Sequence, residues 1–177
     1  MAETLMQTED VPESYPLEPS GLSDGAAALD TSVVWGRIEN YVIARWSVRP
    51  VTWIVEGEGD WSPPLTPATI SLTERWTGEA WVEETLPTGP FGYCIPCGGP
   101  WRITASVGDT EAPEPALEAY RRLAEYMAAT PGKPGAISES VTAGSVSITH
   151  RRSPSWIADA LRNSGAADLL RPYRRVA

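Results

Sequence analysis

The apolar positions change period twice along the chain. Between 31 and 46, Val34, Ile38, Tyr41, Val42 and Trp46 recur at spacings of three and four, the repeat of one helical face. Asp30 or Thr31 offers an oxygen to the free N–H groups of the first turn. Pro50 blocks any continuation. The pattern predicts a helix over 31–45. From 51 to 108 the period becomes two. Val51–Val55, Ala68–Leu72 and Trp101–Val107 read as strands rich in β-branched and aromatic residues. Glu74–Trp76 and Ala80–Val82 flank Thr77-Gly78-Glu79 and read as a hairpin, and Phe91–Ile95 is a short strand among Gly and Pro. The stretch predicts an antiparallel β-unit of about five strands.

The helical period returns at 114. Leu117, Tyr120, Ala124 and Met127 form one stripe, and Pro115 suits the start of a helix. Glu118 with Arg122, and Arg121 with Glu125, stand four apart as outward ion pairs. The predicted helix runs over 114–129. Residues 132–149 read as a Gly/Ser/Thr-rich connection with one strand at Ser145–Ile148. Ser153-Pro154 marks a third helix, 153–163, with Trp156, Ile157, Ala160 and Leu161 inward. The resulting fold class is α+β: a bundle of about three helices with an inserted small antiparallel β-unit and extended terminal arms.

Charge divides the chain into three. Residues 1–24 hold six acids and no Lys or Arg, together with Pro12, Pro16 and Pro19. Such a segment buries too little apolar area to offset the entropy of ordering, so 1–24 is expected to be an acidic flexible arm. Residues 25–170 are the expected main domain, with the β-insert at 51–108. Residues 171–177 are an extended tail, and the region 150–177 carries six Arg against two Asp. An acidic head and a basic tail favour contact between neighbouring molecules. The net charge of −9 argues against a free-standing DNA-binding domain, which is normally basic. No apolar run approaches the ~18 residues of a membrane span. The N-terminus lacks the basic-then-apolar order of a signal peptide. The expected compartment is a reducing cytosol or a particle assembled there.

Cys94-Ile95-Pro96-Cys97 is a C-x-x-C. A redox dithiol of the thioredoxin type needs a helix opening at the first Cys, and here Gly98-Gly99-Pro100 follows. Zinc needs four ligands, and His150 is the only histidine. Glu56, Glu58 and Asp60 sit in a turn without the spacing of a calcium loop. The Gly-rich stretches lack the Lys and helix of a phosphate loop. No catalytic constellation, cofactor site or metal site emerges, and the chain reads as a non-enzyme. The C-terminal Arg171, Pro172, Tyr173, Arg174, Arg175 and Val176 mix an aromatic with three guanidiniums. That composition suits docking into a groove on another protein.

Several of these features occur together in one family. Ile38-Glu39-Asn40-Tyr41 lies in the first helix, and Arg49-Pro50-Val51-Thr52 leads into the strands. Pro113-Glu114-Pro115-Ala116 opens the second helix, and Leu169-Leu170-Arg171-Pro172-Tyr173-Arg174-Arg175 closes the chain. This order resembles the head–tail connector (adaptor) proteins of siphophages and gene transfer agents. The stretch Arg152–Ile157 through Ser164–Asp168 is similar to the gene-transfer-agent-like branch. The similarity spans about 29–176, and the closing Leu-Leu-x-Pro-Tyr-Arg-Arg is its most specific part.

The resemblance implies a structural protein of the virion neck, made in the bacterial host cytoplasm. It would form a twelvefold ring of identical chains beneath the portal protein. The ring joins the DNA-filled head to the tail, receives stopper or tail completion proteins on its other face, and lets DNA pass without sequence-specific binding. Arg171 to Val176 would be the portal-docking segment. The helices at 31–45, 114–129 and 153–163 would pack against ring neighbours. The acidic arm and the Cys pair are departures from the family pattern. Two other readings stand beside it: a small C-x-x-C redox or metal-binding protein, and a regulatory protein that binds DNA through its basic end.

Overall fold

The computed structural model describes residues 1–109, 111–129, 138–143, 146–151 and 156–174. The chain forms two compact units. One contains Met1–Pro16 and Ile43–Glu111, and the other contains Leu17–Val42 and Ala112–Ala177.

The first unit is built from eight strands: β1 (Glu3–Glu9), β2 (Arg49–Glu56), β3 (Gly59–Trp61), β4 (Ala68–Trp76), β5 (Trp81–Glu83), β6 (Thr88–Gly89), β7 (Gly92–Ile95) and β8 (Trp101–Val107). Five make an antiparallel sheet in the order β1-β2-β8-β4-β5, and three make a second sheet in the order β3-β7-β6. Alternation explains the core. Val51, Trp53 and Val55 of β2 and Trp101, Ile103, Ala105 and Val107 of β8 all point to one face and are buried. Trp61 and Ile95 of the second sheet belong to the same apolar cluster. The Trp61 indole meets Trp53 edge-on, with ring centres 5.6 Å apart. Large aromatics fill a small core from few positions, and edge-to-face contact adds to their area burial.

The N-terminal segment differs from the expected arm. Residues 3–9 form β1, an edge strand paired with β2 from Glu3↔Glu56 to Glu9↔Val51, with an irregularity between Thr4 and Met6. The buried indoles explain this. The Trp53 and Trp61 N–H groups need acceptors, and they donate to Gln7 Oε1 and Thr4 Oγ1, each at 2.9 Å. The chain start passes close over Gly57. A Cβ at Gly57 would lie 2.6 Å from the Met1 carbonyl oxygen, and its φ of +100° also favours glycine.

The second unit contains α1 (Asp24–Ala27), α2 (Thr31–Tyr41), α3 (Glu114–Ala128), a hairpin of β9 (Ser138–Ala143) and β10 (Val146–Arg151), α4 (Ala160–Asn163), α5 (Ala166–Leu169) and a 3-10 turn at Arg171–Tyr173. Asp30 caps α2 by accepting from the Ser32 N–H at 2.8 Å. Val34, Trp35 and Ile38 of α2 are buried, as are Ala116, Ala119, Tyr120, Leu123 and Ala124 of α3. Trp35 and Tyr120 pack with centroids 5.1 Å apart. Glu118 pairs with Arg122 at 2.8 Å and also with Arg121. Glu125 instead accepts from the N–H and hydroxyl of Ser23, both at 2.7 Å, tying the start of α1 to α3.

These elements overturn the expected helix bundle. The architecture is mixed: among the described residues, five antiparallel strands form one sheet and three form another beside the helices. The reasons are local. The first helix stops at Tyr41 because Val42 is already extended. The third expected helix shrinks to Ala160–Asn163, with residues 156–159 in a turn and 152–155 outside the described residues. Where one strand was expected in the connection, β9 and β10 form a hairpin. Residues 144 and 145 between them lie outside the described residues.

Candidate docking surface

The C-terminal end is rooted in the core at Leu170 and presented from there. Gly165, at φ +76°, lets the chain reverse between α4 and α5. Leu170 then buries completely. Arg171 and Pro172 come next and are exposed, Tyr173 is half-buried, and Arg174 is exposed. Of the six expected docking residues, these four are described and contiguous, while Arg175 and Val176 lie outside the described residues. The expected extended conformation begins only at Arg174, with φ −86° and ψ 142°. Before it, Arg171–Tyr173 is a 3-10 turn. Two causes act together: Leu170 pulls the chain back into the core, and the proline ring fixes φ near helical values.

Arg174 has a defined seat. Its guanidinium lies 4.5 Å from the centre of the Tyr41 ring, and its Nη1 donates to the Tyr41 hydroxyl at 3.2 Å. A cation–π contact at an exposed site contributes about 0.5–1 kcal/mol. That biases the side chain without locking it, so a stronger carboxylate partner can recruit it.

The C-x-x-C lies in the other unit. Cys94 sits on β7 opposite Asp60, and Cys97 is exposed in the loop before β8. Cys97 lines an open groove of about 330 Å³ with Glu56, Gly57, Glu58, Gly98 and Gly99. Both thiols are free. No helix follows Cys97, so the dipole that activates a thioredoxin-type thiol is missing there. Among the described residues, no group of three or more His, Cys, Asp and Glu is placed to hold a metal. The backbone of His150 lies in β10 opposite Glu139.

Two polar clusters escaped sequence reasoning. On β8, Arg102 grips Glu74 of β4 with two bonds, at 2.6 and 2.7 Å, and stacks over Trp81 at 4.7 Å. The Arg102 hydrogen bond holds the Glu74 carboxyl below its ordinary value, against a smaller opposing effect of burial. Alternation along Trp101–Val107 put Arg102 on the outer face, but nothing local named its partner.

The second cluster joins Glu9 to Arg45 at 2.8 Å and to Arg49 at 3.7 Å. Burial alone would raise the Glu9 carboxyl. The Arg45 hydrogen bond and the Arg45 and Arg49 charges outweigh it and hold the group below 4.5. Its partners are 36 and more residues away in sequence, so only folding reveals them.

No helix among the described residues is long and apolar enough to cross a membrane. Comparison with protein-family models, with curated proteins and with solved structures found no match.

Proposed function

We propose that the protein is a head–tail connector of a phage-like particle, a structural ring component that docks to the portal through Arg171–Val176. One observation carries the reading beyond the motif resemblance. A buried leucine is followed at once by exposed Arg171, Pro172 and Arg174. A short basic segment fixed at its root loses less conformational entropy on docking than a free tail. It still presents guanidiniums for carboxylate pairs. The −9 net charge fits a ring that DNA must traverse without sticking, since repeated negative charge repels the phosphate backbone.

The test is removal of residues 171–177. The truncated chain is expected to remain folded and soluble, and heads assembled with it are expected to lack tails in electron micrographs. Normal tail acquisition would refute portal docking by this segment.

A further inference from the structure

The slot that holds β1 is the most chemically specific surface on the β unit. The buried indole N–H groups of Trp53 on β2 and Trp61 on β3 demand acceptors, and Gln7 and Thr4 supply them. At the far end Arg45 and Arg49 receive the Glu9 carboxylate. At the near end the chain lies over Gly57, and Ala2 enters the core. A strand that satisfies this slot needs small or polar residues, an amide or hydroxyl at two positions and an acid at the last. Without it, both indole donors lose these acceptors and the two arginines lose their carboxylate.

The strand itself places none of its own side chains fully in the core. Its longer apolar side chains, Leu5 and Met6, are 58% and 55% exposed. No tight turn links β1 to β2, because residues 10–48 intervene. Residues 10–23 have no regular secondary structure and contain Pro12, Pro16 and Pro19. Closing the irregular segment 10–23 back onto its own molecule carries a loop-entropy cost. That cost is replaced by an association cost when a neighbouring copy supplies the same strand, and high local concentration in an oligomer reduces it.

We propose that β1 is exchanged between copies of this chain, each copy inserting its β1 into the β2 edge of the next. Every hydrogen bond and ion pair seen within one chain is then remade between chains. Donating to one neighbour and receiving from the other is a head-to-tail contact, the kind that closes into a ring when the rotation between copies closes. The inference rests on the connector reading only for that ring.

The test uses full-length chains in which Cys94 and Cys97 are replaced by Ser. Thr8 and Thr52 face each other in the β1–β2 register. One chain carries Thr8→Cys and a second carries Thr52→Cys. The two are produced together, and the purified material is oxidised and separated on a denaturing gel. Exchange predicts covalent dimers about tenfold above a control pairing of Thr8→Cys with Ser71→Cys, as the raised effective concentration of a docked strand requires. Dimers at control level, with the chain bearing both Thr8→Cys and Thr52→Cys linking only within itself, would overturn the exchange. Native mass of the wild-type chain separates the two readings. A ring with links only inside chains sinks strand exchange and leaves the connector reading intact. Tailed heads formed without residues 171–177 would sink portal docking and leave the cross-link result to stand by itself.

Discussion

The two units solve the same packing problem with different side chains. In the β unit, Trp53, Trp61 and Trp101 fill the space between two small sheets, and the acceptors of the Trp53 and Trp61 indoles lie 46 and 57 residues away. In the helical unit, alanines take six of the buried positions among the described residues, beside larger side chains such as Ile38, Leu123 and Leu170. Ala26, Ala116, Ala119, Ala124, Ala160 and Ala166 are all nearly or fully enclosed, and Trp35 with Tyr120 is a large buried aromatic pair. Bulky residues make a core sensitive to removal of atoms. Small residues at helix contacts make one sensitive to their addition. The same number of methylenes therefore has opposite consequences in the two halves of one chain.

The sharpest way to break this contrast is Trp53→Ala. It removes a fully buried ring and leaves the Gln7 acceptor without its donor, and it is expected to cost about 3–5 kcal/mol. Urea unfolding followed by tryptophan fluorescence measures it, and a loss below about 1 kcal/mol would mean that the indole is not a core element. Next comes Ala119→Leu on α3, where the added atoms have no space. Overpacking there is expected to cost about 1–3 kcal/mol. Far-ultraviolet dichroism should show the loss falling on helix while the β signal persists. Equal loss of both signals would show that the two units unfold as one.

The smallest expected effect concerns acid. The Glu9 carboxyl is held below its ordinary value in the folded state by the Arg45 hydrogen bond and the Arg45 and Arg49 charges, which outweigh burial. A depressed carboxyl contributes stability above its unfolded value, and that stability is lost as pH falls through the folded value. Glu9→Gln should therefore cost about 1 kcal/mol at neutral pH, as expected for a partly screened charge-assisted bond. As pH falls through that depressed folded value, the variant and the wild type should converge. A difference that persists unchanged into acid would show that the Glu9 side chain acts through packing and not through charge.

Much of the β unit was legible in the residues. Val51–Val55, Ala68–Leu72 and Trp101–Val107 alternate so regularly that strands there follow from period alone, and the structure places β2, β4 and β8 on them. The helix at Glu114–Ala128 was equally plain, because a wide apolar stripe and an early proline agree. The basic end could be read as a docking candidate from residue types, though not its turn or the seat of Arg174 on Tyr41. Ser23 taking Glu125 from its expected partner Arg121 could not be read either, since Ser23 is distant in sequence.

The chain's own pattern decided which segments alternate, which spiral and where charge collects, because those properties depend on neighbours within a few residues. Tertiary structure alone decided that an acidic, polar N-terminus would become an edge strand. The reason is that its stabilising partners, two indole N–H groups and two guanidiniums, exist as a surface only after β2 has folded into the sheet. A segment whose binding energy resides in someone else's side chains carries no local sign of the structure it will take.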